Sequence, residues 1–452
     1  MPNPILSGLR ALLLLLLLIL LGDVLFWRQP TGLSLALFAA ALFAAALTSP
    51  PRPAALATLA LALLPVVELV QPLSQAILSL GLLAALALQH GAPAISALSL
   101  ALQIPTRAAR DLTAAGRTLQ GQDLGHQTRR LARNWTLPLG GLLLLAVLLA
   151  EANPVLDTWL QALGDLPLDP GPWIRRILFW TGLALLVWPL LMARPAAMAP
   201  RTLRPLDPEA FGLNAASVGH ALILFNLALG LQTLLDARYL WAGTTPPGMT
   251  LASYAHRGAY PLLATALLAG AFALAARPFV AQRPLLKPLL HLWLVQNVAL
   301  TLSALYRLDL YVQAYGLTYL RAHAAIWMAL VALGLTLTIW QVARNRTAAW
   351  LLGRCATLGA ATLYLGAFVN FADLIARTNL AMGKIDRLYL CQLGPTAAAS
   401  VPRWAWRVEE GIGYDSNLYY CTLTPPQITG WRDWGFRNWR VLHNLATQEV
   451  RP

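Results

Sequence analysis

Residues 9–30 read LRALLLLLLLILLGDVLFWRQP, an unbroken leucine run behind Arg10. The run imitates a secretory leader, but GDVLFWRQP offers no small-residue cleavage site, so the segment is read as a helix that stays in the membrane. About 20 apolar residues suffice to cross a bilayer as a helix. Working outward, further apolar segments bounded by Pro, Gly and charged residues follow it. The spans expected are 8–27, 31–49, 53–71, 73–90, 136–155, 173–193, 213–238, 259–277, 286–307, 314–343 and 348–377. The stretch 91–104 is short for a span and is read as an extension of the fourth helix or an interfacial segment.

Composition agrees with that pattern. The chain has 452 residues, 58% of them hydrophobic and only 12% charged, whereas soluble proteins carry roughly 25% charged residues. The expected fold class is therefore all-α: a polytopic helical membrane bundle of about 11 spans. Three parts are expected: residues 1–210 with a basic loop at 105–135, residues 211–380, and a small polar domain at 381–452. The net charge of +14 does not point to nucleic acid, because the arginines sit in short loops between spans, where they report topology.

Assigning loops alternately to the two sides gathers most of the loop cations on one side. Arg10, Arg52, the six arginines of 105–135, Arg194, Arg201, Arg204, Arg277, Arg283, Lys287, Arg344, Arg346 and Arg354 fall together. The positive-inside rule then places the N-terminus in the cytoplasm and the C-terminal domain outside it. In the basic loop, Leu112, Leu119 and Leu131 recur among arginines, as in a helix lying on anionic lipid; a cytoplasmic partner site is the sharper alternative.

Ionisable residues in a span are expensive and tend to face a cavity or one another. In this chain they concentrate beyond residue 210. Gln232 and Asp236 share a helix face at the end of the seventh span. Tyr254, His256, Arg257 and Tyr260 lead into the eighth. Arg307, Asp309, Tyr311, Tyr315, Tyr319 and Arg321 lie between the ninth and tenth, with Arg307, Tyr311, Tyr315 and Tyr319 on one face if the helix continues through Gly316. Asn370, Asp373 and Arg377 form a polar stripe closing the eleventh. Topology brings all four groups to the outer surface. They suit a phosphate, carboxylate or sugar ligand, with arginine offering bidentate contacts, and His256 is the candidate acid or base if chemistry occurs. Interfacial aromatic belts and helix-fastening Arg–Asp pairs account for the same residues structurally.

A deeper set contains His220, Asn226, His291, Gln296 and Asn297. His220 and His291 fall at similar depth and are weak candidates for a haem or metal pair; interhelical hydrogen bonding is the plainer reading, and no cofactor is expected. Of the three cysteines, Cys355 lies within an apolar segment. Cys391 and Cys421 lie in the polar tail, on the oxidising side of the expected topology, where a disulfide is expected. The stretch Trp431–Arg440 interleaves Trp and Arg in the manner of an amphipathic helix at lipid headgroups.

The stretches YAHRGAYPLLATALLAGAF at 254–272, LWLVQNVALTLSALYRLDLYVQAYGLTYLRAHAAIWM at 292–328 and IDRLYLCQLGP at 385–395 resemble a family of multi-pass bacterial membrane proteins known only as a domain of unknown function. The resemblance implies a bacterial inner-membrane address and no catalytic role for any residue. Three functions are carried forward. The first is transporter-like or receptor-like binding of a small polar or amphiphilic ligand at the extracytoplasmic face. The second is a membrane-embedded transferase acting on a lipid or lipid-linked substrate. The third is a scaffold or assembly subunit. The expected partners are membrane lipids, the unidentified ligand and a further membrane protein.

Overall fold

The computed structural model describes residues 4–97, 99–102, 170–191, 214–242, 251–280, 282–411 and 418–449. The expected span 136–155 and the basic loop 105–135 lie outside these residues. The chain packs as two units, residues 1–200 with 429–435, and residues 201–428 with 436–452.

The first unit contains α1 (Pro4–Phe26), α2 (Leu33–Ala46), α3 (Pro53–Glu68), α4 (Pro72–Gln89) and α5 (Pro170–Leu191). Proline opens α3 and α4 at a position where its missing N–H costs no hydrogen bond. The core is Leu18, Phe38, Leu42, Phe43, Leu86, Leu183 and Val187, and Gly22 leaves the space that Leu183 fills between α1 and α5. Helix α4 does not run on into 91–104; it stops at Gly91, whose φ of +80° suits glycine.

At one end of this unit Arg10 donates to Leu47 O (3.1 Å), while Gln89 at the end of α4 donates to Pro50 O (3.0 Å) and accepts from Arg52 N–H (2.9 Å). At the other end, Trp27 packs on Phe179 with ring centroids 5.6 Å apart. So α4 ends and α5 begins at opposite ends, the polarity expected of spans four and six.

Helix α2 has no side chain capping its first turn. The tail segment does that work instead: Leu33 N–H donates to Trp434 O (2.9 Å) and Ser34 N–H to Arg432 O (3.1 Å). The approach requires glycine, because a Cβ on Gly32 would stand 2.4 Å from the Asp433 carbonyl carbon. Asp433 shapes the segment by accepting from Thr429 N–H (2.7 Å), Thr429 Oγ1–H (2.8 Å) and Gly430 N–H (2.8 Å). Burial alone would raise its pKa, but these donors outweigh burial and hold the carboxyl below its usual range.

The second unit contains α6 (Ala215–Leu235), prolonged by a π-helical turn at Asp236–Trp241, then α7 (Leu251–Val280), α8 (Leu286–Tyr315), α9 (Tyr319–Ala343) and α10 (Ala348–Gly366). Leu222, Leu290, Leu294 and Trp293 form its core, with Phe225 and Phe272 packed edge-on and tilted against the indole. A cap follows, with α11 (Phe371–Ala381), α12 (Arg387–Gln392), an antiparallel hairpin of β1 (Arg407–Gly411) and β2 (Leu418–Thr422), and α13 (Phe436–Glu449). Ile375, Leu390, Val401, Val408, Leu423, Val441 and Leu445 share one core, so α11 packs with the tail. The Cys391–Cys421 disulfide ties α12 to β2.

At two places a helix breaks where the sequence suggested continuity, although α8 runs past the expected end of its span at 307. Helix α8 stops at Tyr315, where Gly316 takes φ +80° and a new helix starts at Tyr319; the single face through Arg307, Tyr311, Tyr315 and Tyr319 therefore does not form. The segment 348–377 is two helices, because α10 ends at Gly366 and Asn370 starts α11 as its cap.

Among the described residues, six helices are long and apolar enough to cross a bilayer, and three shorter apolar helices accompany them. Leucines are exposed along helix faces: Leu12, Leu13, Leu16, Leu17 and Leu20 on α1, and Leu224, Leu227, Leu231 and Leu234 on α6. Contiguous apolar surface of this kind belongs in lipid, and the protein is a helical integral membrane protein.

The packing at Gly32 predicts that Gly32→Val lowers the unfolding midpoint in detergent by the equivalent of about 1–3 kcal/mol, whereas Gly430→Val, which meets nothing within 4 Å, lowers it far less. Reduction of the 30-residue loop closed by Cys391–Cys421 is expected to destabilise the cap by about 3–4 kcal/mol. The check is protease susceptibility of the cap with and without dithiothreitol; equal cleavage would show that the bond carries no stability.

Candidate functional site

The seam between α6 and α8 holds a deeply buried pair of opposite charges. One turn before its end, α6 presents Gln232, which donates to Asp236 Oδ1 (2.9 Å). The same carboxylate pairs with the Arg307 guanidinium of α8, and the two side chains are only 2% and 4% exposed. The π-turn widens the helix here and swings Trp241 onto α8, where its Nε1 donates to Ser303 Oγ (3.2 Å) and its ring stacks on Tyr306. Deeper in the seam, Asn226 Nδ2 donates to Leu222 O (2.7 Å) and Leu289 O (3.1 Å), and Gln296 Nε2 to Asn226 O (3.4 Å). The amide oxygens of Asn226, Gln296 and Asn297 accept no hydrogen bond from the described residues. Asn226 and Asp236 lie ten residues apart, so the polar seam extends about 15 Å along the helix.

Beyond Arg307, the candidate residues serve the break at Gly316. Asn379 of α11 accepts from Leu317 N–H (2.6 Å) and donates to Leu317 O (2.9 Å). Arg321 donates to the carbonyls of Tyr315 and Gly316 and lies over the Tyr311 ring, 4.5 Å from its centroid. Tyr311 and Tyr315 pack with centroids 4.7 Å apart. Asp309 is exposed and accepts from Gln313 (2.7 Å). Tyr319 donates to Leu393 O (3.0 Å), anchoring the cap to α9.

The third group lies in the cap. Asn370 donates to Thr396 O (2.8 Å) and is structural. Asp373 accepts from the Ser400 hydroxyl and pairs with Arg377 Nε (3.0 Å), whose N–H also reaches Ser400 Oγ (3.1 Å). Both contacts use Nε, and the Arg377 side chain is 64% exposed. It borders a polar cleft of about 290 Å³ whose other walls are Ala399, Ser400, Asn444, Thr447 and Gln448. The last three come from one face of α13, at spacings that place neighbours together on a helix. Gln448 is positioned by donation to Ala399 O (3.0 Å).

The structure thus distributes the candidates instead of gathering them into one pocket. Asp236 and Arg307 meet in the seam; Tyr311, Tyr315 and Arg321 meet at the Gly316 break; Asp373 and Arg377 meet in the cleft. Tyr254, His256, Arg257 and Tyr260 stand in the first turns of α7, but their side chains lie outside the described residues. His220 is exposed, and His291 Nδ1 lies 2.8 Å from Lys287 O one turn back on its own helix. No group of three or more metal-binding side chains occurs among the described residues.

Sequence reasoning passed over Ser400, Asn444, Thr447 and Gln448, because neutral residues scattered along a tail carry no periodic or spacing signal. It also passed over Asp23. In the first unit this residue of α1 takes both Arg176 and Trp180 of α5, the indole at 2.9 Å, while the Arg176 guanidinium lies 5.9 and 5.4 Å from the Trp27 and Trp180 ring centroids. A carboxylate inside the leucine-rich first helix was the available signal, since such residues require a partner.

A family profile described as Domain of unknown function (DUF4153) matches residues 9–403. The match extends through the first 200 residues, where no diagnostic motif stood out. Neither the curated proteins nor the solved structures yield a match.

Burial of the Asp236–Arg307 pair predicts that Asp236→Ala, which strands a buried cation, destabilises the protein by about 3–5 kcal/mol. The double variant Asp236→Leu/Arg307→Leu is expected to recover much of the loss. Thermal unfolding of the three proteins in detergent reads the difference; a double variant worse than the single one would contradict the assignment.

Proposed function

We propose that this chain, which belongs to the family described as Domain of unknown function (DUF4153), binds a small anionic or amphiphilic ligand at the capped, extracytoplasmic face in the manner of a transporter or receptor. The polar cleft of the cap carries this reading. Its Arg377 is held in place through Nε by Asp373 and Ser400, which leaves the fork of Nη donors for a carboxylate or phosphate. Asn444, Thr447 and Gln448 add neutral polar groups suited to orienting such a ligand. At about 290 Å³ the cleft suits a headgroup or a small metabolite, being close to the lower end of known ligand sites.

The polar α6–α8 seam supports the transporter form. Buried amide oxygens without donors among the described residues, beside an intramembrane carboxylate, are groups that water or a cation would satisfy along a path. The reading assigns the chain to a bacterial inner membrane with about 11 spans, its N-terminus inside and its cap outside. The asymmetry of the loop arginines supports that orientation, and so does the disulfide of the cap, a bond that oxidising compartments preserve.

A thermal-shift panel of carboxylates, phosphates and sugar acids on the detergent-purified protein tests the proposal. A cleft ligand at 100 times its dissociation constant is expected to add about 2.7 kcal/mol of stability. The shift should vanish in Arg377→Gln and weaken in Asn444→Ala. An undiminished shift in Arg377→Gln, or no response across the panel, refutes the cleft as the binding site and favours the scaffold reading.

A further inference from the structure

The end of the second unit opposite the cap carries a different kind of site. Helices α7, α9 and α10 enclose an apolar cleft of about 340 Å³ whose walls include Leu267, Trp327, Leu335, Leu352 and Cys355. Glycine keeps it open: a Cβ placed on Gly270, Gly334 or Gly359 would meet nothing within 4 Å. Along α9 the lining runs from Trp327 to Thr338, about 16 Å at 1.5 Å per residue. That length matches one leaflet of hydrocarbon, about 15 Å. Leu267, Trp327 and Leu352 are half or more exposed, so the cleft borders the surface that faces lipid. Among the described residues its walls are apolar apart from the Trp327 indole N–H, the Cys355 thiol and Thr338, whose hydroxyl donates to Gly334 O within the same helix.

The turn that joins α9 to α10 supplies a charge. Arg344 and Arg346 are exposed in that turn and Arg354 about two turns into α10, Arg344 over the Trp340 ring at 5.0 Å and Arg354 over the Trp350 ring at 5.8 Å. Arg277 at the end of α7 and Arg283 and Lys287 at the α7–α8 turn lie at the same end of the unit. The chain has no Asp or Glu from 237 to 308 or from 310 to 372, so among the described residues this end contains no carboxylate. An apolar slot of one-leaflet depth, under a cationic rim backed by tryptophan, has the two halves of a lipid site: chain below, anionic headgroup above.

We propose that the α7–α9–α10 cleft binds one acyl chain of a phospholipid with a net negative headgroup of the phosphatidylglycerol type, its phosphate held by Arg344, Arg346 and Arg354. This site is independent of the polar cleft in the cap and stands or falls separately from it.

Lipid retained through purification in mild detergent, quantified by mass spectrometry, tests the inference. The wild-type protein is expected to retain phosphatidylglycerol in excess of its share of the host membrane. Gly334→Leu fills the slot without touching any charge, and should release that lipid while leaving the unfolding midpoint near the wild-type value. Replacing the arginines singly by glutamine should weaken retention on the order of five-fold for each one removed. In nanodiscs, spin-labelled phosphatidylglycerol should show a larger immobilised fraction on the wild-type protein than spin-labelled phosphatidylcholine. Equal fractions for the two lipids, or retention that survives Gly334→Leu, overturns the proposal; the spin-label comparison needs no variant and decides the matter even if a substituted protein fails to fold.

Discussion

A peptide group in hydrocarbon has no water to bond, so each N–H and C=O must be satisfied within the protein. The helices follow from that constraint, and so does the treatment of each place where a helix stops. At Gly316 the chain leaves α8, and the freed groups are taken by Asn379 and Arg321. After Gly366 the carbonyl of Ala367 is taken by Arg437, a buried side chain of α13. The bare first turn of α2 is closed by the backbone of residues 432–434. In each case a sealing group comes from a distant part of the chain, Arg321 alone being local, and at two of the three breaks it comes from the tail. The cap and the tail segment therefore complete the helical units as well as covering them.

The same constraint sorts the charges. Asp236 with Arg307, and Asp23 with Arg176, are closed pairs within their bundles, each made specific by a third donor, Gln232 or Trp180. A buried pair such as Asp236–Arg307 is poor evidence for stability in itself, since desolvation offsets most of the attraction; its effect is to set which helix faces meet. Arg377 is different. Its pairing with Asp373 uses the inner nitrogen and leaves the outer ones at a polar cleft. Exposure separates a charge that holds helices together from one available to a ligand.

Much of the bundle was legible because the signal is additive. A run such as Leu12–Leu21 needs no partner to be read as a membrane helix, and six of the described helices are long and apolar enough to cross a bilayer. Helix ends were less legible. The segment 348–377 is apolar enough to read as one span, and its interruption depends on Asn370 reaching Thr396 and on Arg437 reaching Ala367, contacts that form only after the cap has folded. The Cys391–Cys421 bond was legible from two cysteines set apart in the polar tail. The Ser400–Arg377–Gln448 cleft was not, because its walls come from α11, a loop and α13, and no one segment shows a pattern.

The sequence by itself determined the solvent of this protein, its helical class and the asymmetry of its loop charge, because each of these is a sum over local residues. Tertiary structure alone decided which charges close on one another and which remain open, where α8 and α10 end, and that glycines on α7, α9 and α10 leave a slot beside lipid. Those outcomes depend on which groups meet across long separations, and a polar atom in hydrocarbon acquires its role only from the partner that reaches it.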